Sequence, residues 1–126
     1  MKKIIQTPNA PAAIGPYSQG IVSNDFIYLS GQIPIVPETG NIESADITGQ
    51  TKQCIENIKA LLKASGVDLE HVIKTTVFLT DMDHFSEMNA VYATAFTAPF
   101  PARTTVAVKA LPKGSLVEIE VIARVY

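Results

Sequence analysis

Five stretches of the chain are rich in β-branched and aromatic residues and are bounded by turn residues, as β-strands are. They are the extended segment that begins at Gly20, then Phe26–Ile35, Val72–Thr80, Arg103–Lys109 and Leu116–Val125. Asn24 and Asp25 predict a hairpin turn between the first two strands. The segment Leu111–Ser115 predicts a second hairpin, which joins the last two strands.

Two further stretches repeat hydrophobic residues at the spacing of an α-helix. Asp46 is the predicted N-cap of the first helix, and Gly66 is its predicted C-terminal stop. The inward positions of this helix are Ile47, Thr51, Cys54, Ile55, Ile58, Leu61 and Leu62. The second helix is predicted over Asp81–Phe96, with Asp83 as its N-cap. Its apolar stripe consists of Phe85, Met88, Tyr92 and Phe96.

The predicted elements follow one another in the order β-β-α-β-α-β-β. This order predicts an α+β fold, in which two helices lie on one face of a mostly antiparallel or mixed sheet. Because the chain has 126 residues, we expect one domain, residues 1–126.

The last predicted strand indicates that the uncovered face of the sheet meets another subunit. Side chains alternate between the two faces of a strand. One face carries Val117, Ile119, Val121, Ala123 and Val125, which suits packing against helices. The other face carries Leu116, Glu118, Glu120, Ile122 and Arg124. Two helices cover only one face of such a sheet, so the partly apolar second face predicts an oligomer.

Composition and charge narrow the classes of function. The chain is 47% hydrophobic and 17% charged, which is typical of a folded globular protein. Its net charge of -2 and pI of about 5.6 do not suit a protein that binds nucleic-acid backbones. No apolar run approaches the roughly 20 residues of a membrane span, and the N-terminus lacks the apolar core of a secretory signal. We therefore expect a soluble, cytoplasmic protein.

The residues that most often bind metals are few. Cys54 is the single cysteine, and it falls within the apolar stripe of the first helix, where a free cysteine is usually an inert core residue. His71 and His84 are the two histidines. The run Asp81–His84 is better explained as the start of a helix than as a metal site. We expect no metal and no cysteine nucleophile.

Arg103 stands among small and apolar residues at the head of its strand, and an arginine there needs a partner. It could hold a carboxylate between its parallel N–H groups. From the residues alone, a structural salt bridge to Glu118 or Glu120 is the favoured interpretation. These glutamates share one face of the strand, as an acid–base pair would, although the pattern alone favours partly exposed surface charges.

Four other residues could line a pocket. Gly31 interrupts a strand, which indicates a bulge or a close approach to the backbone, and its N–H and the Ser30 hydroxyl could serve an anion. Tyr17 follows a Gly-Pro turn and could cap a pocket or simply pack against the protein. Asn89 lies beside the apolar stripe of the second helix, as a pocket amide or an ordinary flanking residue.

Four blocks together resemble the RidA (YjgF) family of reactive intermediate deaminases. They are APAAIGPYSQG from Ala10, YLSGQIPI from Tyr28, VIKTTVFLTDMDHFSEMN from Val72 and PARTTVAVKALPKGSLVEIEVIA from Pro101. They occur in the family's order over nearly the whole chain. The resemblance implies a chorismate-mutase-like α+β fold and a homotrimer with a central barrel and clefts between subunits. It also implies a hydrolase that converts 2-iminobutanoate and 2-iminopropanoate to 2-oxo acids and ammonia without a cofactor.

The resemblance also assigns roles to individual residues. The family's carboxylate-binding arginine corresponds to Arg103, and the glutamate that orients the attacking water corresponds to Glu118. The positions that line the cleft correspond to Tyr17, Ser30, Gly31 and Asn89. Thr105 stands where the family often has cysteine, so only its backbone N–H or hydroxyl is open to a role in binding.

Two other functions remain to be tested. The same cleft could bind a small 2-oxo acid without catalysis, as a sensing or regulatory trimer. A ribonuclease activity has been attached to the family, but the acidic pI of this chain argues against a nucleic-acid groove.

Overall fold

A six-stranded mixed sheet, with two helices on one face, forms the body of the protein. The computed structural model describes all 126 residues. The strands are β1 (Lys3–Ile5), β2 (Gly20–Ser23), β3 (Phe26–Leu29), β4 (Ile35–Val36), β5 (Asn41–Ile42), β6 (Val72–Leu79), β7 (Ala102–Ala107) and β8 (Val117–Arg124). The helices are α1 (Ile47–Ala64) and α2 (Phe85–Ala95), and short 3-10 turns occupy Leu69–His71, Met82–His84 and Pro112–Gly114. This confirms the predicted α+β class.

The strand order in the large sheet is β1-β2-β3-β8-β6-β7, and β4 and β5 form a separate two-stranded sheet. Strands β6 and β7 are parallel, and every other neighbouring pair is antiparallel. The expected hairpin between β7 and β8 is therefore wrong. Helix α2 is the crossover connection between β6 and β7, and it allows β7 to run parallel to β6. Strand β8 then pairs on the other side of β6, so β7 is left at the edge.

The five predicted strands and the two predicted helices are present, and the structure adds three further strands. Strand β1 extends the sheet beside β2, and the pair β4–β5 lies in the segment that precedes α1. The predicted strand Phe26–Ile35 ends at Leu29, and its last residue, Ile35, belongs to the separate strand β4. Between Leu29 and Ile35, only Gln32 keeps a bridge to the sheet, through Ile119.

The ends of α1 follow the local signals. The Asp46 carboxylate accepts a hydrogen bond from the Gly49 N–H at 2.7 Å, as an N-cap does. Gly66 has a φ of +79°, the left-handed conformation that ends many helices. Helix α2 differs from its prediction: Asp81, not Asp83, acts as a cap, and it caps the preceding 3-10 turn by accepting from the Asp83 N–H.

The hydrophobic core lies between the sheet and the two helices. On β8 the predicted inward residues Val117, Ile119, Val121 and Ala123 are buried, whereas Val125 lies beyond the end of the strand and is exposed. The opposite face has no covering element and carries large apolar side chains. They are Ile4, Ile21, Phe26, Tyr28, Phe78, Val106 and Ile122. We call this surface the open face.

Neither helix combines the length and the apolar character that crossing a membrane requires.

Candidate functional site

Arg103 lies on the edge strand β7 and points toward α2. Its Nη1 donates a hydrogen bond to Asn89 Oδ1 at 2.7 Å. Its guanidinium carbon lies 4.6 Å from the centre of the Tyr92 ring and 5.5 Å from that of Phe85. An amide and two aromatic rings therefore hold the cation, at distances typical of cation–π contacts.

The salt bridge expected between Arg103 and Glu118 or Glu120 is wrong. The contacts between basic and acidic side chains join Lys59 to Glu56 and His71 to Asp68, and none includes Arg103. The reason is topological, because β6 separates β7 from β8 in the sheet.

The two residues also occupy opposite faces of the sheet. Arg103 pairs with Thr75 on the helix-covered face, and Glu118 pairs with Phe78 on the open face. A guanidinium carries five N–H donors, and the hydrogen bond to Asn89 uses only Nη1 of Arg103. The other N–H groups of Arg103 are therefore available to an anion.

Glu118 is the half-buried carboxylate of the open face. Burial raises its pKa above the usual glutamate value, and the charge of Glu120 raises it further. The register with β6 places both glutamates on the same face, as the sequence predicts, although Glu120 is exposed. Glu118 is therefore protonated more readily than an ordinary surface carboxylate.

Gly31 lies against Glu118. A Cβ atom at Gly31 would collide with the Glu118 carboxylate, so of the two interpretations of this glycine, a bulge or a close approach, the structure shows a close approach. The Gly31 N–H donates to no group within the chain. One small region of the open face thus combines a carboxylate and a free backbone donor.

Tyr17 and Ser30 line a neighbouring depression together with Tyr28. The Ser30 hydroxyl donates to the Ser18 carbonyl at 2.6 Å, so its proton is already engaged within the chain. Its oxygen can still accept a hydrogen bond. The Tyr17 side chain is 54% exposed.

Thr105 follows Arg103 on the same face of β7 and pairs with Val77. Its hydroxyl oxygen is buried and has no hydrogen-bond partner. A buried hydroxyl without a partner is rare in proteins. It is the one such group on the Arg103 face of β7.

The predicted site residues thus fall into two groups. One group contains Arg103, Asn89 and Thr105 beside α2, and the other contains Glu118 and Gly31 on the open face, with Tyr17 and Ser30 near them. A single subunit does not bring the two groups together.

Cys54 lies apart from both groups. It is fully buried in the core, and burial raises the pKa of its thiol. The histidine, cysteine, aspartate and glutamate side chains form no cluster of three or more that could hold a metal ion.

Phe85 and Tyr92 were not predicted as site residues, because their spacing places them in the apolar stripe of α2. The structure places both rings beside Arg103. The spacing of Phe85, Asn89 and Tyr92, at i, i+4 and i+7, does put the three on one helix face. What the sequence could not indicate is that the arginine of β7 lies over that face.

Comparison with known proteins identifies the family. A family model described as Endoribonuclease L-PSP matches residues 7–125. The 2-iminobutanoate/2-iminopropanoate deaminase of Escherichia coli K12 is 48% identical over 126 residues, which cover 98% of each chain. The crystal structure of YyfA, a conserved Rid family protein of Yersinia pestis, has 52% identity and a TM-score of 0.96, and the match covers 98% of this chain and 99% of that one. Escherichia coli TdcF, solved with bound serine, has 45% identity and a TM-score of 0.93, covering 97% and 98%. The chain therefore belongs to the RidA (YjgF) family, as its sequence motifs indicate.

Proposed function

We propose that this protein hydrolyses small 2-imino acids, with 2-iminobutanoate and 2-iminopropanoate as its substrates, to 2-oxo acids and ammonia. The observation that carries the proposal is the Arg103 guanidinium, which is held in place without a carboxylate partner in its own chain. A relative named as this deaminase supports the substrate class. A relative solved with bound serine supports a small ligand that carries a carboxylate.

The active site is a cleft between two subunits of a homotrimer. Arg103 and Glu118 stand on opposite faces of one sheet, so a site that uses both needs each from a different copy. The apolar side chains of the open face are the surface that a neighbouring copy would cover. The central barrel and the chorismate-mutase-like arrangement of subunits belong to this proposal.

In the reaction, Arg103 binds the substrate carboxylate and thereby orients C2 of the imine. A water held by Glu118 adds to C2, and the carboxylate of Glu118 accepts its proton. Glu118 then returns this proton to the nitrogen of the carbinolamine; the C–N bond breaks to release ammonia while the C=O bond forms and the hydroxyl proton passes back to the Glu118 carboxylate. The Gly31 N–H is a donor in the cleft, and Asn89 orients Arg103. The scheme needs no cofactor and no thiol, and Thr105 takes part only through its hydroxyl or backbone.

The test couples a threonine dehydratase to the purified protein and follows 2-oxobutanoate. The wild-type protein should accelerate its release, and Arg103→Ala should lose the acceleration, by about 100-fold or more in kcat/KM, since charge-assisted hydrogen bonds to the carboxylate are removed. Size-exclusion chromatography should show the same assembly for both. An Arg103→Ala protein with wild-type turnover would contradict the proposal. Binding of 2-oxobutanoate that depends on Arg103 but comes without turnover would instead favour a sensing role.

A further inference from the structure

We propose that Tyr92 is a positioning residue, which sets the orientation of the Arg103 guanidinium and so determines how tightly the substrate carboxylate binds. The inference rests on the proposed function, because it assigns a task to the same arginine. It concerns a buried side chain that the sequence analysis assigned to the hydrophobic core.

Tyr92 is itself fixed from two directions. Its hydroxyl forms a hydrogen bond of 2.8 Å with the hydroxyl of Thr75, and both residues are buried. Its ring stacks on Phe96, with the ring centres 4.4 Å apart. A buried hydroxyl that has found its partner resists rotation, because breaking the bond would leave two polar groups unpaired. The ring is therefore a rigid platform.

Arg103 rests on this platform. Its guanidinium carbon is 4.6 Å from the Tyr92 ring centre, while Asn89 holds one of its nitrogens at 2.7 Å. An arginine side chain has many rotamers, and holding it at two points removes most of that freedom before a ligand arrives. Because the ring attracts the cation without neutralising its charge, Arg103 stays available to a carboxylate, which a structural salt bridge would prevent.

The contact also predicts which kinetic constant depends on Tyr92. The substrate carboxylate takes no part in bond making at C2, and the hydrogen bond from Arg103 to Asn89 still aims the guanidinium in the bound complex, so losing the ring contact weakens the ground state and the transition state about equally. An interaction of this uniform kind changes KM and leaves kcat nearly unchanged. A residue that serves only the stability of the fold would change neither constant for the folded protein.

The experiment compares wild type with Tyr92→Leu, which removes the aromatic face, and with Tyr92→Phe, which keeps the ring and removes the hydroxyl. The control is Tyr126→Leu, which removes an exposed ring 4.3 Å from the guanidinium of Arg124. Two measurements are made on each protein: kcat and KM in the coupled dehydratase assay, and the affinity for 2-oxobutanoate by calorimetry.

We expect Tyr92→Leu to raise KM and the 2-oxobutanoate Kd by about tenfold, with kcat within about threefold of wild type. Tyr92→Phe keeps the ring but loses its bond to Thr75, so it should raise Kd severalfold, less than Tyr92→Leu does, and Tyr126→Leu should match wild type. Wild-type KM and Kd in Tyr92→Leu would overturn the proposal, and so would a fall in kcat alone. If Tyr92→Leu does not fold, Tyr92→Phe and Thr75→Val decide: each should raise Kd severalfold, and wild-type Kd in both would overturn it.

The two readouts separate this inference from the proposed function. If wild type binds 2-oxobutanoate without turnover, and Tyr92→Leu weakens that binding, the deaminase proposal fails while the positioning role of Tyr92 stands. If wild type neither binds 2-oxobutanoate nor accelerates its release, both proposals fail.

Discussion

At the scale of single residues, Arg103 and Glu118 each carry a charge that the subunit does not neutralise. Arg103 contacts an amide and two rings but no carboxylate. Glu118 contacts the backbone at Gly31 and is near another carboxylate, Glu120. A charged group of this kind is stabilised when a partner of opposite charge binds to it. Binding and catalytic residues are often in this state.

The pKa of Glu118 makes a prediction about stability and activity together. The folded-state pKa is raised, so ionisation destabilises the folded subunit. That cost is absent below the unfolded pKa and is fully present once the pH exceeds the folded value. Glu118→Gln should therefore have a higher Tm than wild type at pH 7, and this gain should vanish as the pH falls below the usual glutamate range.

The same variant should lose most of its deaminase activity, because glutamine accepts no proton from water. The activity of the wild type should fall as the pH drops through the raised pKa of Glu118, as the carboxylate becomes protonated. Thermal melts at pH 4 and pH 7 and the coupled assay test both points. A lower Tm for Glu118→Gln at pH 7 would contradict the stability prediction. It would indicate that a cation lies beside Glu118 in the assembly.

At the scale of elements, the segment between β3 and β4 controls the position of Glu118. Gln32 bridges to Ile119 of β8 through two backbone hydrogen bonds, which holds the preceding Gly31 against the neighbouring Glu118. Glycine is needed there because of this close approach, since a Cβ would collide with the carboxylate. A loop without helix or strand thus sets the geometry of a residue on a central strand.

Gly31→Ala should displace the Glu118 carboxylate and lower kcat by about tenfold or more, because a misplaced base no longer aligns the water. The affinity for 2-oxobutanoate should change less, since Arg103 is on the other face of the sheet. Coupled assays and calorimetry measure the two effects. Gly66→Asn is the control for a glycine substitution, because the position has open space around it and asparagine tolerates its φ of +79°. Wild-type kcat in Gly31→Ala would show that the close approach has no functional role.

At the scale of the whole molecule, the subunit has one covered and one open face. The helices bury the apolar residues of one face, while the other retains exposed side chains such as Phe26, Tyr28 and Val106. An open apolar face of this kind is typical of a protein that associates with other copies. The separation of Arg103 from Glu118 by the thickness of the sheet makes the same association a requirement for the proposed chemistry.

Mixing two inactive variants tests that requirement. Arg103→Ala and Glu118→Gln each lack one half of the proposed cleft. If they are denatured together and refolded in equal amounts, about one quarter of the interfaces should combine a normal Arg103 with a normal Glu118. The mixture should then regain roughly that share of wild-type activity, while each variant refolded alone stays inactive. A mixture that regains nothing would indicate that the site lies within one subunit.

Much of the fold and of the site follows from the sequence. Helix α1 begins and ends where Asp46 and Gly66 predict, because caps act on their own turn of the helix. Four of the five inward residues predicted on β8 are likewise buried. Each of these features depends on residues that are neighbours in the chain or on the twofold alternation of a strand, whereas the approach of Glu118 to Gly31 joins distant segments.

The sequence by itself determined the helices, the alternation of the last strand, the α+β class and the residue types available for chemistry, since these depend on local periodicity and capping. Only the tertiary structure decided the neighbours of β7 and β8, because strand order depends on pairing between distant segments. That strand order separates Arg103 from the glutamates and places it against the Tyr92 ring and the Asn89 amide. For this reason Arg103 has no carboxylate partner in its own chain, although the residue pattern without the family resemblance favours an ion pair.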